Sequence, residues 1–507
     1  MRKIWKLLFH RIGLVTLGLL AQLAVILICA RWVSDLSPLI SFAITMLSWG
    51  VVLFILSDRT NISYKVAWII PVLAIPVFGL VLYLIFGGNR LSTRLKRKMK
   101  HMDDTLRTHL RQDVIVSEKL KQKFTDGAMP SRYLTDLCFP VYSNTATRYF
   151  SSGEACWAVM LEELKKAKTS IYLEYFIICP GRMWDTIVEI LVQKLKEGVD
   201  VRLIWDDFGC IEKLPSGYQK TLEDMGIKIA VFNPFVPILS SRLNNRDHRK
   251  LMIIDGVTAF TGGINHADEY INEHDRHVGH WKDCGLMLQG DAVWSMTVMF
   301  YSMWNHITGA EGMDVQPALP DCGDYHGYVQ PFVDSPLDFE TVSRNTFLNL
   351  INRAKSRVWV MTPYLIIDDT VTDAFSIASK SGIDVRIITP AIGDKSYVHV
   401  TTRANYVRLL EAGCKIFEYQ PGFVHSKTML VDDSLSVVGT VNLDFRSMYL
   451  HFENGVFLCD ADCTREIRQD FDETFRVCRE ISLTECNNQR WYLKLFRAFL
   501  RIFAPLM

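Results

Sequence analysis

The chain has 507 residues, 49% of them apolar, which on a prior of roughly 100–200 residues per domain means about three domains and excludes general disorder. Its 56 Lys and Arg nearly balance 55 Asp and Glu, but unevenly: residues 1–100 carry 13 basic and 2 acidic side chains, and the remainder is net −10. An acidic folded region has the wrong sign for nucleic acid, whereas basic groups flanking apolar segments suit a membrane surface.

The first hundred residues hold three uncharged stretches, Ile12–Ala30, Leu36–Ser57 and Val66–Asn89. Each is long enough to cross a hydrocarbon layer of ~30 Å as a helix. Basic clusters stand at Arg2, Lys3, Lys6 and Arg11 and again at Arg90, Arg94, Lys96, Arg97, Lys98 and Lys100. Both argue for the cytoplasmic face, and three full spans cannot satisfy both. The expectation is a multi-pass protein of the cell membrane with two or three spans and a catalytic region in the cytoplasm. The twelve cysteines are scattered without a C-x-x-C pair, which suits buried thiols in a reducing compartment rather than disulfides or zinc.

Residues 101–130 read as a polar, partly helical linker. Beyond them the chain repeats itself: Gly198-Val-Asp-Val-Arg-Leu-Ile204 returns as Gly382-Ile-Asp-Val-Arg-Ile-Ile388, and Gly226-Ile-Lys-Ile229 as Gly413-Cys-Lys-Ile416. In each half strands alternate with helices, which predicts α/β architecture with mixed, mostly parallel sheets around a pseudo-two-fold axis. The halves are placed at 131–330 and 331–486, and 487–507 reads as an amphipathic tail with Arg490, Lys494, Arg497 and Arg501 on one stripe. Asp206-Asp207 ends a strand and reads as a turn or helix cap in preference to a metal pair.

Each half also carries the pattern H-x-K-x4-D-x6-G-[GT]-x-N, first from His248 through Lys250 and Asp255 to Asn265, then from His425 through Lys427 and Asp432 to Asn442. In a strand, His and Lys two positions apart share a face. Two histidines, two lysines and two asparagines suit phosphoryl transfer without a metal. Ammoniums and amides hold the phosphate charge, one neutral imidazole attacks phosphorus, and the other, protonated, supplies the leaving alkoxide with a proton.

These two motifs resemble the phospholipase D superfamily. The surrounding chain, with Leu84-Ile-Phe-Gly-Gly-Asn-Arg90, Glu174-Tyr-Phe176, Thr362-Pro-Tyr364 and Phe452-Glu-Asn454, is similar to the bacterial cardiolipin synthases. The resemblance implies a duplicated phospholipase D-like fold behind N-terminal transmembrane helices, and a reaction in which two phosphatidylglycerols give cardiolipin and glycerol. It implies no metal, cofactor or nucleotide, with a lipid bilayer as the partner. It makes His248 the nucleophile and His425 the acid, then base, with Lys250, Lys427, Asn265 and Asn442 on the phosphate. Asp283 and Glu453 support the histidines. Asp255 and Asp432 complete the catalytic motif, though their place past the strand ends suits an anchor of the turn. Hydrolysis with water as acceptor is the competing chemistry.

Overall fold

The computed structural model describes residues 38–87, 107–234, 244–273, 277–318, 325–337 and 340–488, with isolated positions in 20–28, at 104 and in 497–503. Most of the expected span Ile12–Ala30, both basic clusters and most of the tail 487–507 lie outside the described residues.

The first half contributes β1 (Thr145–Phe150), β2 (Ser170–Tyr175), β3 (Asp200–Asp206), β4 (Lys228–Phe232), β5 (Lys250–Ile254), β6 (Thr258–Gly262), β7 (His280–Lys282) and β8 (Gly285–Gly290). All but β7 form one sheet in the order β1-β8-β6-β5-β2-β3-β4. Helices Arg182–Lys196 and Tyr218–Asp224 return the chain so that β2, β3 and β4 run parallel, as a crossover requires. The other ladders are antiparallel: a short turn joins β5 to β6, while β1–β8, β2–β5 and β6–β8 pair strands distant in sequence.

The second half provides β9 (Tyr328–Asp334), β10 (Arg357–Met361), β11 (Leu365–Ile366), β12 (Asp384–Pro390), β13 (Lys415–Tyr419), β14 (Gly422–Val424), β15 (Thr428–Val431), β16 (Leu435–Gly439), β17 (Leu443–Asp444), β18 (Glu453–Cys459) and β19 (Cys478–Ile481). Its sheet, β9-β18-β16-β15-β10-β12-β13-β19, repeats the first with one strand added. Both sheets are therefore mixed with antiparallel ladders in the majority, and the expectation of mostly parallel sheets is corrected. Helical crossovers join only β2, β3 and β4 in the first half and β10, β12 and β13 in the second, so only those ladders of the two sheets are parallel.

The sheets share one core. Leu251, Leu288, Trp359, Leu430 and Val438 from the two sheets belong to one buried cluster with the apolar helix Val293–Thr308, whose Met296 and Phe300 are fully buried. The expected border at 330 cuts through β9, which pairs with β18 and belongs to the second half. The expected linker 101–130 is partly helical, and its helices join the second half. Helices Val114–Lys123 and Thr125–Asp136 insert Leu120 and Leu134 into the core of the second half, and Gly127 lies so close to Cys459 that a Cβ would meet its sulfur at 2.5 Å.

At the N-terminus, helix Pro38–Ser57 is the one described helix long and apolar enough to cross a membrane. The third uncharged stretch does not continue as a second such helix. It breaks at Ile75–Pro76 into helices Ile62–Ala74 and Pro76–Leu82, the latter prolonged by a π-turn to Gly87, because Pro76 has no N–H to continue the ladder.

Candidate active site

β5 and β15 are central strands, and each motif histidine sits just before one of them. His248 is held by its neighbour in the other half: its N–H bonds Phe452 O at 2.9 Å, while Phe452 N–H bonds Arg246 O at 2.8 Å. The second copy repeats this. β14 pairs with β7, and His425 N–H bonds Lys282 O at 2.7 Å. Each histidine is thus stitched to the opposite half by backbone.

The carboxylates cross over in the same way. His248 Nδ1 lies 2.9 Å from Glu453 Oε2 and His425 Nδ1 2.7 Å from Asp283 Oδ2. A carboxylate accepts only, so each Nδ1 carries the hydrogen and each Nε2 keeps its lone pair. Lys250 Nζ bonds the carbonyl of His248 at 2.6 Å, and Lys427 Nζ bonds that of His425. All four side chains are buried. His248 interacts electrostatically with Lys427 and His425, and His425 with Lys250, so the two motifs share one pocket.

The family comparison covers both motif histidines. The model described as "Cardiolipin synthase, PLD-like domain" matches residues 160–281 and 347–475, and one described as "Phospholipase_D-nuclease N-terminal" matches 43–88. "Cardiolipin synthase 2" of Bacillus anthracis is 33% identical over 470 residues, 92% of this chain and 91% of that protein. The chain belongs to the cardiolipin synthase family. An uncharacterized protein of Streptococcus mutans serotype c is 39% identical over 465 residues, 90% of this chain and 100% of that one. The fold is shared with the phosphatidylserine synthase of Haemophilus influenzae, at TM-score 0.57 and 15% identity over 75% of this chain and 98% of that one.

Burial and crowding by like charge set the protonation of this cardiolipin synthase-family pocket. Desolvation, then Lys250 and Lys427, hold the His248 imidazole well below its ordinary value. Desolvation and Lys427 bring His425 down to about 4, against the pull of Asp283. Desolvation likewise lowers Lys250 to about 7 and Lys427 to about 8. Four groups that can carry positive charge thus share a buried space. A phosphodiester anion placed there reverses the repulsion and raises all four.

Two pairs of the expected residues behave differently. Asp255 and Asp432 lie at the far ends of β5 and β15 and do not join the pocket. Asp255 accepts hydrogen bonds from the N–H groups of Lys168, Thr169 and Ser170 at 2.7–3.1 Å, and Asp432 from those of Lys355, Ser356 and Arg357 at 2.7–3.0 Å. They anchor the entry to β2 and β10, so counting them as catalytic is corrected. Asn265 is committed within the protein: Oδ1 accepts from Ile177 N–H at 3.0 Å, and Nδ2 donates to Tyr270 Oη at 2.7 Å. Asn442 Oδ1, also buried, has no hydrogen-bond partner among the described residues.

Asp206 caps the short helix after β3 through Phe208 N–H and Gly209 N–H, at 2.8 and 3.1 Å, which is the cap reading of Asp206-Asp207. Several contributors were given no role from sequence. Phe176 stands 5.1 Å from the His248 ring, Trp281 5.1 Å from His425, and Thr440 Oγ1 donates to Glu453. His451 lies 3.6 Å from Glu453 Oε1. Ligand atoms of His248, His451 and Glu453 fall within 4.8 Å of one another, a spacing a metal could use. Arg446 Nε donates to His451 Nε2 at 3.3 Å, and the lysines beside His248 oppose a cation. The donor set suits an anion better.

Proposed function

We propose that this chain transfers a phosphatidyl group from one phosphatidylglycerol to the hydroxyl of another, giving cardiolipin and glycerol. The observation that carries the reading is the pair of neutral, carboxylate-oriented imidazoles in one buried pocket with two lysines. His248 Nε2 attacks phosphorus, and the P–O bond to glycerol breaks. His425, protonated as the anion enters, delivers its proton to the departing alkoxide. His425 then takes the proton of the second lipid's hydroxyl, whose oxygen attacks phosphorus as the P–N bond breaks. Lys250 and Lys427 face the charge that grows on the phosphoryl oxygens.

The halves are read as facing the cytoplasm, with residues 1–100 holding the protein in the cell membrane so that acyl chains stay in the bilayer. Incubating membranes that contain the protein with phosphatidylglycerol tests the reaction. Cardiolipin with free glycerol is the expected result. Phosphatidic acid indicates water as the acceptor, and no product overturns the reading. Rapid acid quenching should trap the phosphoryl adduct on His248; an adduct on His425 exchanges the two roles.

A further inference from the structure

The broken third apolar stretch folds back on itself. Gly79 packs against Pro71 and Val72, where an added Cβ would meet Pro71 O at 2.2 Å. Tyr83 meets Trp68 edge to face at 5.7 Å. Tyr64 Oη donates to Gly87 O at 3.4 Å. Partners on one arm rise in number as those on the other fall, so Ile62–Ala74 and Pro76–Gly87 are antiparallel arms of a hairpin turning at Ile75–Pro76.

Both feet of this hairpin lie on the side of the catalytic halves. Asn61, which caps its first helix, donates to Tyr449 Oη at 3.1 Å and Asp368 Oδ2 at 3.4 Å in the second half. Gly87 comes back beside Tyr64, one turn from that cap. The turn itself, Leu73-Ala-Ile-Pro-Val-Phe78, carries no polar side chain, although a turn in the opposite water layer would need them. Within the turn Ile75 N–H bonds Pro71 O and Gly79 N–H bonds Ile75 O, and Pro76 has no N–H to satisfy, which lowers the cost of placing the turn in hydrocarbon. An arm of 13 residues is about 20 Å long, short of the ~30 Å core. Ile62, Val66, Ile70, Leu73 and Leu84 are exposed along the arms.

We infer that residues 62–87 form a re-entrant hairpin that dips into the bilayer from the face bearing the catalytic halves and returns to it, its exposed arms covered by lipid acyl chains. The inference uses the membrane reading above and is independent of the reaction. It also resolves the charge conflict of the sequence. With residues 62–87 returning to the face they leave, the third apolar stretch no longer counts as a full span, and the three-span arrangement that the two basic clusters oppose does not arise.

The test uses the full-length chain in cells. One epitope is inserted between Arg59 and Thr60, another between Gly309 and Ala310 in a catalytic half, each in its own chain. Both should be silent to antibody in intact spheroplasts and appear only on permeabilisation. A 59/60 epitope reached in intact cells while the 309/310 epitope is hidden means a full crossing and overturns the hairpin. Both reached in intact cells keeps the hairpin and overturns only the cytoplasmic assignment. Should insertion disturb the docked loop, Arg59→Cys read with an impermeant thiol reagent, against the parent chain, gives the same two outcomes. A photoactivated carbene dissolved in the acyl layer should label 62–87. Absence of that label, with disulfide-linked dimers of a Leu84→Cys chain, makes the exposed arms a protein interface and overturns lipid as the occupant.

Discussion

Glu453 receives the Nδ1 hydrogen of His248 across 205 positions of sequence and across the boundary between the two halves. Asp283 does the same for His425 over 142 positions in the other direction. The motif copies therefore do not make two half-sites that merely meet. Each half supplies a nucleophile or acid to its own motif and the orienting carboxylate to the other, so neither half contains an oriented imidazole of its own.

Crossed support predicts how substitutions combine. Glu453→Gln keeps the volume but presents an amide that can hold the wrong tautomer of His248, so turnover should fall roughly 10²–10⁴-fold. Because Glu453 acts through His248, the double variant with His248→Ala should be no slower than His248→Ala alone. Initial rates of cardiolipin formation from phosphatidylglycerol decide it. A Glu453→Gln rate within twofold of the parent removes Glu453 from the mechanism.

Asp255 and Asp432 should behave as structural groups. Burial raises both carboxyls, but the backbone N–H groups they accept from outweigh it and leave both below the ordinary carboxylate value. A depressed carboxyl stabilises the fold above its unfolded pKa, ~3.9, and that stability is lost as pH falls through the lower folded value. Asp255→Asn retains one acceptor and tolerates the positive φ of 55°. It should cost about 1–2 kcal/mol near pH 7 and progressively less toward pH 3, with the rate per folded molecule unchanged. Thermal unfolding in detergent across that range, beside activity at matched folded fraction, checks both parts.

What could be read from sequence was whatever is local. His248 and Lys250 share a strand face because they are two positions apart, and the same spacing at His425 and Lys427 identified the pair. The crossing of Glu453 and Asp283 was not legible, since no local pattern says which half a carboxylate will face. Thr440, Phe176 and His451 were missed for the same reason: their meaning lies in a tertiary contact. The third apolar stretch misled because an uncharged run of sufficient length records composition, whereas one proline and the close approach allowed by Gly79 decide whether it spans or folds back. β9 was cut by the expected border because nothing in Tyr328–Asp334 itself shows that its partner is β18.

The lysines make the pocket's affinity for an anion depend on pH. With Lys250 near 7 and Lys427 near 8 in the empty site, both are charged at pH 6 and largely neutral above pH 9. A bound phosphodiester raises both, so binding takes up protons between these limits. KM for phosphatidylglycerol should therefore climb from pH 7 to 9, while kcat, which reports the occupied site, declines only at higher pH. Initial rates in mixed micelles at fixed surface concentration separate the two. A KM that stays flat over this range contradicts the lowered lysines.

Gly263 offers a substitution that reaches the chemistry through geometry alone. It stands in the first motif where Thr440 stands in the second, and a Cβ there would meet Asp283 Oδ1 at 2.0 Å and the carbonyl of His425 at 2.9 Å. Neither backbone nor a carboxylate already bonded to Cys284 N–H at 2.8 Å can retreat cheaply. Gly263→Ala should therefore push Asp283 off His425 Nδ1 and lower turnover at least tenfold, through loss of imidazole orientation. The equivalent change in the second half, Thr440→Ala, removes only the hydroxyl that steadies Glu453 and should cost less. A damaged His425 stalls transfer after an adduct forms on His248 more than a damaged His248 does, so quench-flow trapping of the phosphoryl adduct reads which histidine each substitution has disturbed. Equal losses for the two variants, or a Gly263→Ala enzyme at full rate, would show that the close approach of Gly263 has no bearing on His425.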